Sequence, residues 1–291
     1  MSTSSRFTKF LSNLALTSDQ LTDAQTKYDG VARKLHSHFY TSTFTGSTRK
    51  VIGSYGKGTA VRPPRDVDIL FLLPSSEYER YKKYTGNAQS QLLQAVRAIL
   101  LEKYSSTNIR GDGQVVVVPF SNGHSIEVLP GWTTTTKRFL VPNTHDGGSW
   151  QTVDHDAEIA QVESSNTRSK GNTRKLIKML KAWQRVCNVP IGSLVLELRS
   201  VNFLKKWDNF DKDATYHDWM IRDFLAELIP YENGTCKMPG TEEKIDYGSE
   251  WLSKAESALS RAKKACQFEM DKKDRSATEE WQKIFGGQYE F

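Results

Sequence analysis

Residues 66–73 read Asp-Val-Asp-Ile-Leu-Phe-Leu-Leu, an apolar run headed by two carboxylates and closed by Pro74. So short an apolar run, stopped by a proline, predicts a buried strand rather than a helix. Side chains alternate along a strand, so Asp66 and Asp68 project to the same side. Two like charges at the head of a buried strand repel each other and resist desolvation unless a cation sits between them. The chain must therefore build a sheet whose end is open enough to hold charge. The plainer alternative is that both acids are surface charges at a strand start.

The flanking sequence bears on that choice. Val51 and Ile52 read as the end of an earlier strand, followed by the glycine-rich turn GSYGKGTAV. Arg62-Pro63-Pro64-Arg65 cannot be regular helix, because each proline lacks an N–H and restricts the residue before it. Gly53 and Ser54 permit close backbone approach to phosphate oxygens, and Ser54 adds a hydroxyl donor. The turn is not a Walker A loop, since Thr59 stands where lysine is required, nor a dinucleotide GxGxxG, since Val61 follows Gly56 and Gly58. A plain hairpin turn remains the alternative. Residues 114–120 and 125–129 are strand-like and flank Ser121-Asn122-Gly123-His124, which predicts a hairpin with Asn-Gly at its tip. Glu127, between Ile126 and Val128, can then point at the Asp66/Asp68 site. Three carboxylates suit hard divalent cations: two Mg²⁺ ions, or Mn²⁺ in their place, one activating a hydroxyl and one steadying a triphosphate.

The rest of the chain sorts by periodicity. Phe7, Phe10, Leu11 and Leu14 recur at helical spacing. Ser18 and Asp19 offer N-caps for a second helical stretch to about His38, which Gly30 interrupts. Leu92, Leu93, Val96, Ile99 and Leu100 share one face of a helix from Asn87 to Tyr104. Residues 141–155 are turn-rich and read as a surface loop. From Asn172 onward the helical period dominates. The expected layout is a helical spine over 1–40, a mixed α/β core over 41–165 and a helical lobe over 166–291.

Lys and Arg outnumber Asp and Glu by 40 to 34, a balance that suits a polyanionic ligand without requiring one. The three cysteines, Cys187, Cys236 and Cys266, form no CxxC pair. That argues against a disulfide framework or zinc ribbon and for a reducing, cytoplasmic location. No apolar run approaches the roughly 18 residues needed to cross a membrane. His124, His145 and His155 lack metal spacing with any cysteine and read as bystanders.

GSYGKGTAVRPPRDVDI resembles the GS-loop and DxD segment of the polymerase-β-like nucleotidyltransferases. More narrowly, it resembles the bacterial cGAS/DncV-like enzymes (CD-NTases, the SMODS family). Glu127-Val128-Leu129-Pro130, the segment from Pro142 to Trp150, the helix from Arg174 to Trp183 and the run from Ser193 to Leu198 fit the same family. The likeness spans roughly residues 50 to 205. It implies an α/β (α+β) fold, with a polymerase-β-like core, a mixed sheet, a helical lobe and an active site in the cleft between them. It places Gly53 and Ser54 at the triphosphate, Asp66, Asp68 and Glu127 at the metals, and Lys178, Lys181 and Ser193 at the outer phosphates. Lysines three apart on one helix can face a phosphate chain, though such a pair can also be a solvated face. Asn166, in the loop expected before that helix, is a candidate to read a base edge.

Two departures matter. Glu127 stands where the family usually has aspartate, and Leu194 stands where vertebrate relatives carry a base-stacking tyrosine. The zinc insertion of the vertebrate sensor is absent, so zinc-mediated DNA binding is not expected. The implied function is the joining of ribonucleoside triphosphates into a cyclic di- or trinucleotide second messenger, with release of pyrophosphate. The implied setting is anti-phage (CBASS) signalling, with defence-operon proteins as partners. The rivals are transfer to an RNA 3′ end or a small molecule, and a catalytically silent nucleotide- or RNA-binding protein on the same fold.

Overall fold

A computed structural model of the chain describes residues 2–121 and 123–291, so Asn122, expected at the hairpin tip, lies outside the described residues. The chain divides into two compact units. One comprises the chain up to Ala15, Thr59–Arg62 and Ala160–Phe291, and the other Leu16–Gly58 and Pro63–Ile159. Helix α1 (Thr3–Leu14) belongs to the first unit and α2 (Ser18–Phe39) to the second. The two helices expected to form one spine therefore serve different cores. Phe7, Phe10 and Leu14 of α1 are buried in the helical core, whereas Ala24, Val31 and Leu35 of α2 are buried in the sheet unit. Thr17 rather than Ser18 or Asp19 caps α2, through a reciprocal capping box with Gln20. Gly30 does not break α2. A Cβ there would lie 3.2 Å from the Tyr104 hydroxyl, so glycine lets that side chain approach the helix closely.

The sheet unit continues with β1 (Arg49–Val51), the single helical turn α3 (Gly53–Gly56), β2 (Val67–Leu72), α4 (Ser75–Tyr81) and α5 (Ala88–Leu101). It closes with β3 (Arg110–Asp112), β4 (Val115–Pro119), β5 (Ser125–Thr133), β6 (Phe139–Asn143) and β7 (Ser149–Val153). These strands form one mixed sheet in the order β1-β2-β5-β4-β3, with β6 paired to β5 and β7 to β6. Only β2 and β5 run parallel among the described pairings. The expected surface loop over 141–155 is instead mostly the β6–β7 hairpin. Its turn residues concentrate in the tight connection from His145 to Gly148, while Val141, Trp150, Thr152 and Val153 supply strand-forming side chains.

Alternation along β2 and β5 gives the sheet two different faces. Val67, Ile69, Phe71, Ile126 and Val128 pack into a core with Val31 and Leu35 of α2 and Leu92 and Val96 of α5. Leu70 and Leu129, on the opposite face, join a smaller cluster with Ile52, Phe139 and Val141. Asp68 and Glu127 head that second face, which is why their carboxylates are not driven under the helices.

Helix α6 (His155–Arg168) carries the boundary between the units at Ile159 and Ala160. The helical unit then adds α7 (Asn172–Val186), α8 (Ser193–Lys206), α9 (His217–Leu228), the ribbon of β8 (Thr235–Lys237) and β9 (Lys244–Asp246), α10 (Leu252–Met270) and α11 (Asp274–Phe285). Its core is built on Trp183, Trp251 and Trp281, with the Phe10 ring of α1 centred 4.6 Å from that of Phe285 and tilted 36° to it. Because Phe10 is fully buried, Phe10→Ala is expected to destabilise the protein by about 3–5 kcal/mol. Urea unfolding checks this. A loss below about 1 kcal/mol would show that α1 is an appendage rather than part of that core.

Candidate active site

Residues expected to carry chemistry meet at the start of β2 and β5. The parallel register pairs Asp68 with Glu127 directly, so their side chains lie side by side on one face. The two carboxyls interact directly, and the charge of Asp68 makes Glu127 harder to ionise. Burial and then repulsion from Asp66 push Asp68 up to about 6, while His155 and Lys57 pull the other way. Burial, Asp68, Asp66 and Asp112 together push Glu127 up to about 7. Asp66 precedes β2, is exposed, and accepts a hydrogen bond from the Ser125 hydroxyl. Among the described residues no three His, Cys, Asp or Glu side chains form a ready-made metal cage. The structure thus brings Asp68 and Glu127 into contact and leaves Asp66 alongside, tied to Ser125.

The glycine-rich turn folds as α3 and presses on this pair. The Ile52 amide donates to the Asp68 carbonyl at 2.9 Å. Gly53 sits at φ +58, and a Cβ there would fall 1.9 Å from Asp68 Oδ2. Only glycine fits a backbone so close to a carboxylate with that sign of φ. Ser54 follows it, half-buried in the same turn.

Two polar networks brace the turn, and both use histidines expected to be bystanders. His124 Nδ1 lies 2.8 Å from Asp23 Oδ2, and its Nε2 lies 2.8 Å from the Tyr55 hydroxyl. With the carboxylate accepting from Nδ1–H, Nε2 accepts from Tyr55, so α2, α3 and the β4–β5 hairpin are tied through one buried imidazole. On the other side, Lys57 Nζ donates to Glu158 at 3.1 Å, and Glu158 bonds His155 Nδ1 at 2.9 Å. Only His155 and Glu158 lie at helical spacing, three apart on α6, and the other members of both sets are far apart along the chain, so neither network was legible as a whole in the sequence.

The helical unit holds the remaining candidates. Arg174, Lys178 and Lys181 share one face of α7. Arg174 pairs with Glu163, and Lys181 Nζ donates to Glu197 Oε1 at 2.8 Å and to Thr59 Oγ1 at 3.1 Å. Lys178 has no hydrogen-bond or ion-pair partner among the described residues. Burial, followed by repulsion from Arg174 and Lys181, lowers its pKa, the signature of a cation that lacks an anion. Ser193 begins α8, and its hydroxyl donates to Gln184 at 2.9 Å. Asn166 is not in a loop: it lies within α6, and its Oδ1 accepts from the Arg174 amide at 3.0 Å. That bond satisfies an otherwise unpaired donor in the first turn of α7, a capping task that periodicity could not reveal.

The family model of the Second Messenger Oligonucleotide or Dinucleotide Synthetase (SMODS) domain matches residues 1–166. The chain belongs to this family, whose members are nucleotidyltransferases that make oligonucleotide or dinucleotide second messengers. No curated protein sequence matched. Solved structures share the fold over nearly the whole chain. Vibrio cholerae DncV cyclic AMP-GMP synthase, bound to the linear intermediate 5′ pppA(3′,5′)pG, aligns with TM-score 0.74 at 13% identity over 96% of this chain and 93% of that one. Escherichia coli MS115-1 CdnC, in a complex with HORMA-deltaN, aligns with TM-score 0.71 at 14% identity over 99% and 98%. Bradyrhizobium diazoefficiens CdnG, a CD-NTase bound to GTP, aligns with TM-score 0.70 at 11% identity over 99% and 96%. The bacterial cGAS/DncV-like reading and the mixed α/β nucleotidyltransferase fold are thereby established.

Two outcomes follow from the geometry. Gly53→Ala is expected to cost about 1–3 kcal/mol in backbone strain and to displace Asp68, abolishing nucleotide joining. Wild-type rates of pyrophosphate release in that variant would sink the assignment of the turn. The raised pKa values of Asp68 and Glu127 also predict pH-dependent stability in metal-free buffer. Their carboxyls hold protons more tightly folded than unfolded, so their contribution is present at low pH and is lost as pH rises from about 4 through about 7. Asp68→Asn is expected to flatten this decline, as thermal melts in EDTA across that range would show.

Proposed function

We propose that this chain joins ribonucleoside triphosphates into a cyclic di- or trinucleotide and releases pyrophosphate, with Asp66, Asp68 and Glu127 holding two Mg²⁺ ions. The observation that carries this reading is the Asp68–Glu127 carboxyl pair pressed against Gly53. Packing forces acids together beside a turn suited to phosphate, and the donor set is all oxygen, as a hard divalent cation requires. Asp66 completes the set once it leaves the Ser125 hydroxyl. Mn²⁺ suits the same donors. The ions, when bound, neutralise triphosphate charge and acidify the attacking hydroxyl.

The protein's own part is to bind and orient. The backbone at Gly53 and the Ser54 hydroxyl cradle the triphosphate. Lys178, which lacks a counter-charge, is the foremost candidate on the helical unit for the outer phosphates, ahead of Lys181, whose ammonium is committed to Glu197. Ser193 and Asn166 remain candidates of lower rank, each already bonded within the fold. A ribose hydroxyl oxygen forms a bond to the α-phosphorus and the bond to pyrophosphate breaks. The hydroxyl proton passes to Glu127, the candidate general base, and on to water. A second such step within the linear product closes the ring.

The named contents of the related structures make ATP and GTP the first substrates to test, and a HORMA-type protein the first partner to test. A cytoplasmic setting in an anti-phage (CBASS) pathway belongs to the same reading. The free thiols at Cys187, Cys236 and Cys266 support it, and no helix of the described residues is long and apolar enough to cross a membrane.

Incubation with four labelled ribonucleoside triphosphates, followed by mass spectrometry, tests the proposal. Phosphatase-resistant cyclic products that vanish in EDTA are expected. Asp66→Ala with Asp68→Ala should lower the yield by at least about 100-fold, since even outer-shell changes at metal sites cost 10–100-fold. The melting temperature in metal-free buffer should not fall, because the change relieves repulsion. Undiminished product from the double variant refutes the reading, and label appearing only on added RNA redirects it to another acceptor.

A further inference from the structure

His124 is only 2% exposed. It stands between β4 and β5, three residues before Glu127, while Tyr55 stands one residue after Ser54. The 2.8 Å contact between the Tyr55 hydroxyl and His124 Nε2 therefore links the turn assigned to the triphosphate with the hairpin that carries the third acid. The two rings also meet edge-on, their centroids 6.0 Å apart at 66°. The glycine-rich turn follows β1, and β2 separates β1 from β5 in the sheet, so no ladder hydrogen bond joins the two segments. A side-chain link has to do so.

The direction of each bond in this link is fixed at its ends. Lys27 Nζ donates to Asp23 at 2.6 Å, and Lys27 and His124 hold the Asp23 carboxyl below its ordinary range against the effect of burial, so Asp23 accepts. Burial, followed by Asp23 and Asp66, pushes Tyr55 up to about 12, so the phenol keeps its proton and donates. A single ring proton, on Nδ1 of His124, satisfies both neighbours. Lys27 also lies over the Phe120 ring, 5.4 Å from its centroid, and the Phe120 amide donates to the His124 carbonyl at 3.2 Å. The imidazole is thus anchored to α2 and to its own hairpin through Nδ1 and the backbone. Its other nitrogen holds Tyr55.

We propose that His124 is a positioning residue for nucleotide joining: through the Tyr55 hydroxyl it sets the Ser54 turn at its working distance from Glu127, while Asp23 aims its ring. Phosphoryl transfer depends on placement, and a shift of about 1 Å can cost on the order of 100-fold in rate. A bond that spans the two halves of the site therefore acts on rate as well as on stability. The proposal rests on the nucleotidyltransferase reading of the acids and the turn.

Two substitutions separate the ring nitrogens. His124→Gln places a carbonyl to accept from Tyr55 in place of Nε2, whereas His124→Asn places an amide N–H toward Asp23 and leaves Tyr55 without its acceptor. Tyr55→Phe deletes the same bond from its other end and keeps the ring in its packing. Pyrophosphate release from ATP and GTP is measured on the full chain, at a temperature where circular dichroism shows every variant folded. Tyr55→Phe and His124→Asn are expected to lose roughly ten- to 100-fold in kcat/KM, and His124→Gln to stay within about threefold of wild type. The double variant of Tyr55→Phe with His124→Asn should lie within about twofold of the worse single change, because both remove one interaction. Thr48→Val is the control for stability alone. It removes a buried partner of His36 in the same unit, so it should lower the melting temperature and leave kcat/KM within about twofold. Wild-type kcat/KM in Tyr55→Phe, His124→Gln as impaired as His124→Asn, losses that multiply in the double variant, or an equal loss in Thr48→Val each overturn the proposal. Failure of the underlying reading has a separate signature, in which the wild type releases no pyrophosphate. Equilibrium dialysis with the α,β-methylene analogue of ATP in Mg²⁺ then still decides the role of the link: Tyr55→Phe should weaken binding roughly three- to tenfold, and unchanged affinity overturns it.

Discussion

The register of β2 against β5 is the constraint on which the site depends. In that parallel pairing Asp68 faces Glu127, and the same alternation turns Val67, Ile69, Phe71, Ile126 and Val128 into the core. A slip of one residue would exchange the faces, burying the carboxylates under helices and exposing the apolar set. Each of those five side chains contributes about 1.5–3 kcal/mol by burial, far more than mutual repulsion of a half-buried acid pair can oppose. Hydrophobic packing therefore holds two acids where neither is comfortable, and the raised pKa values record that discomfort.

What surrounds the pair is arranged to keep it there. Gly53 brings backbone against Asp68 more closely than any side chain allows. The Asp23–His124–Tyr55 chain ties the glycine-rich turn to the hairpin that bears Glu127, and Lys57 and His155, both bonded to Glu158, oppose the rise in the Asp68 pKa. Such buried polar networks are strongest when fully bonded: His124 uses both ring nitrogens, whereas His155 bonds through Nδ1 and its buried Nε2 has no partner among the described residues. A site for moving phosphoryl groups benefits from that rigidity, because positioning and charge placement do most of the work in such reactions.

The helical unit follows another logic. Its core of tryptophans and phenylalanines closes over the fully buried Arg6, paired with Glu269, and over the Lys181–Glu197 pair beside Thr59. Those cations are spent inside the fold. Lys178 differs from its neighbours in lacking a counter-charge, so the basic face of α7 separates into structural members and one available for an anion.

The sequence by itself determined the chemistry-bearing elements. The Asp-Val-Asp strand start, the glycine-serine turn, the hairpin carrying Glu127 and the helices after Asn172 were all legible, because each is a local pattern of polarity, glycine or proline. Only the tertiary structure decided the rest. It set the pairing of Asp68 with Glu127, the tie of Asp66 to Ser125, the use of His124 and His155 as braces, and the commitment of Lys181 and Asn166 to the fold. It also turned an expected loop into the β6–β7 hairpin and assigned α1 and α2 to different cores. Most of these depend on contacts between residues tens to more than a hundred positions apart, and even the shorter ones, such as Asn166 with Arg174, join separate helices. No periodicity or spacing encodes such contacts, because they are fixed only when whole faces bury together.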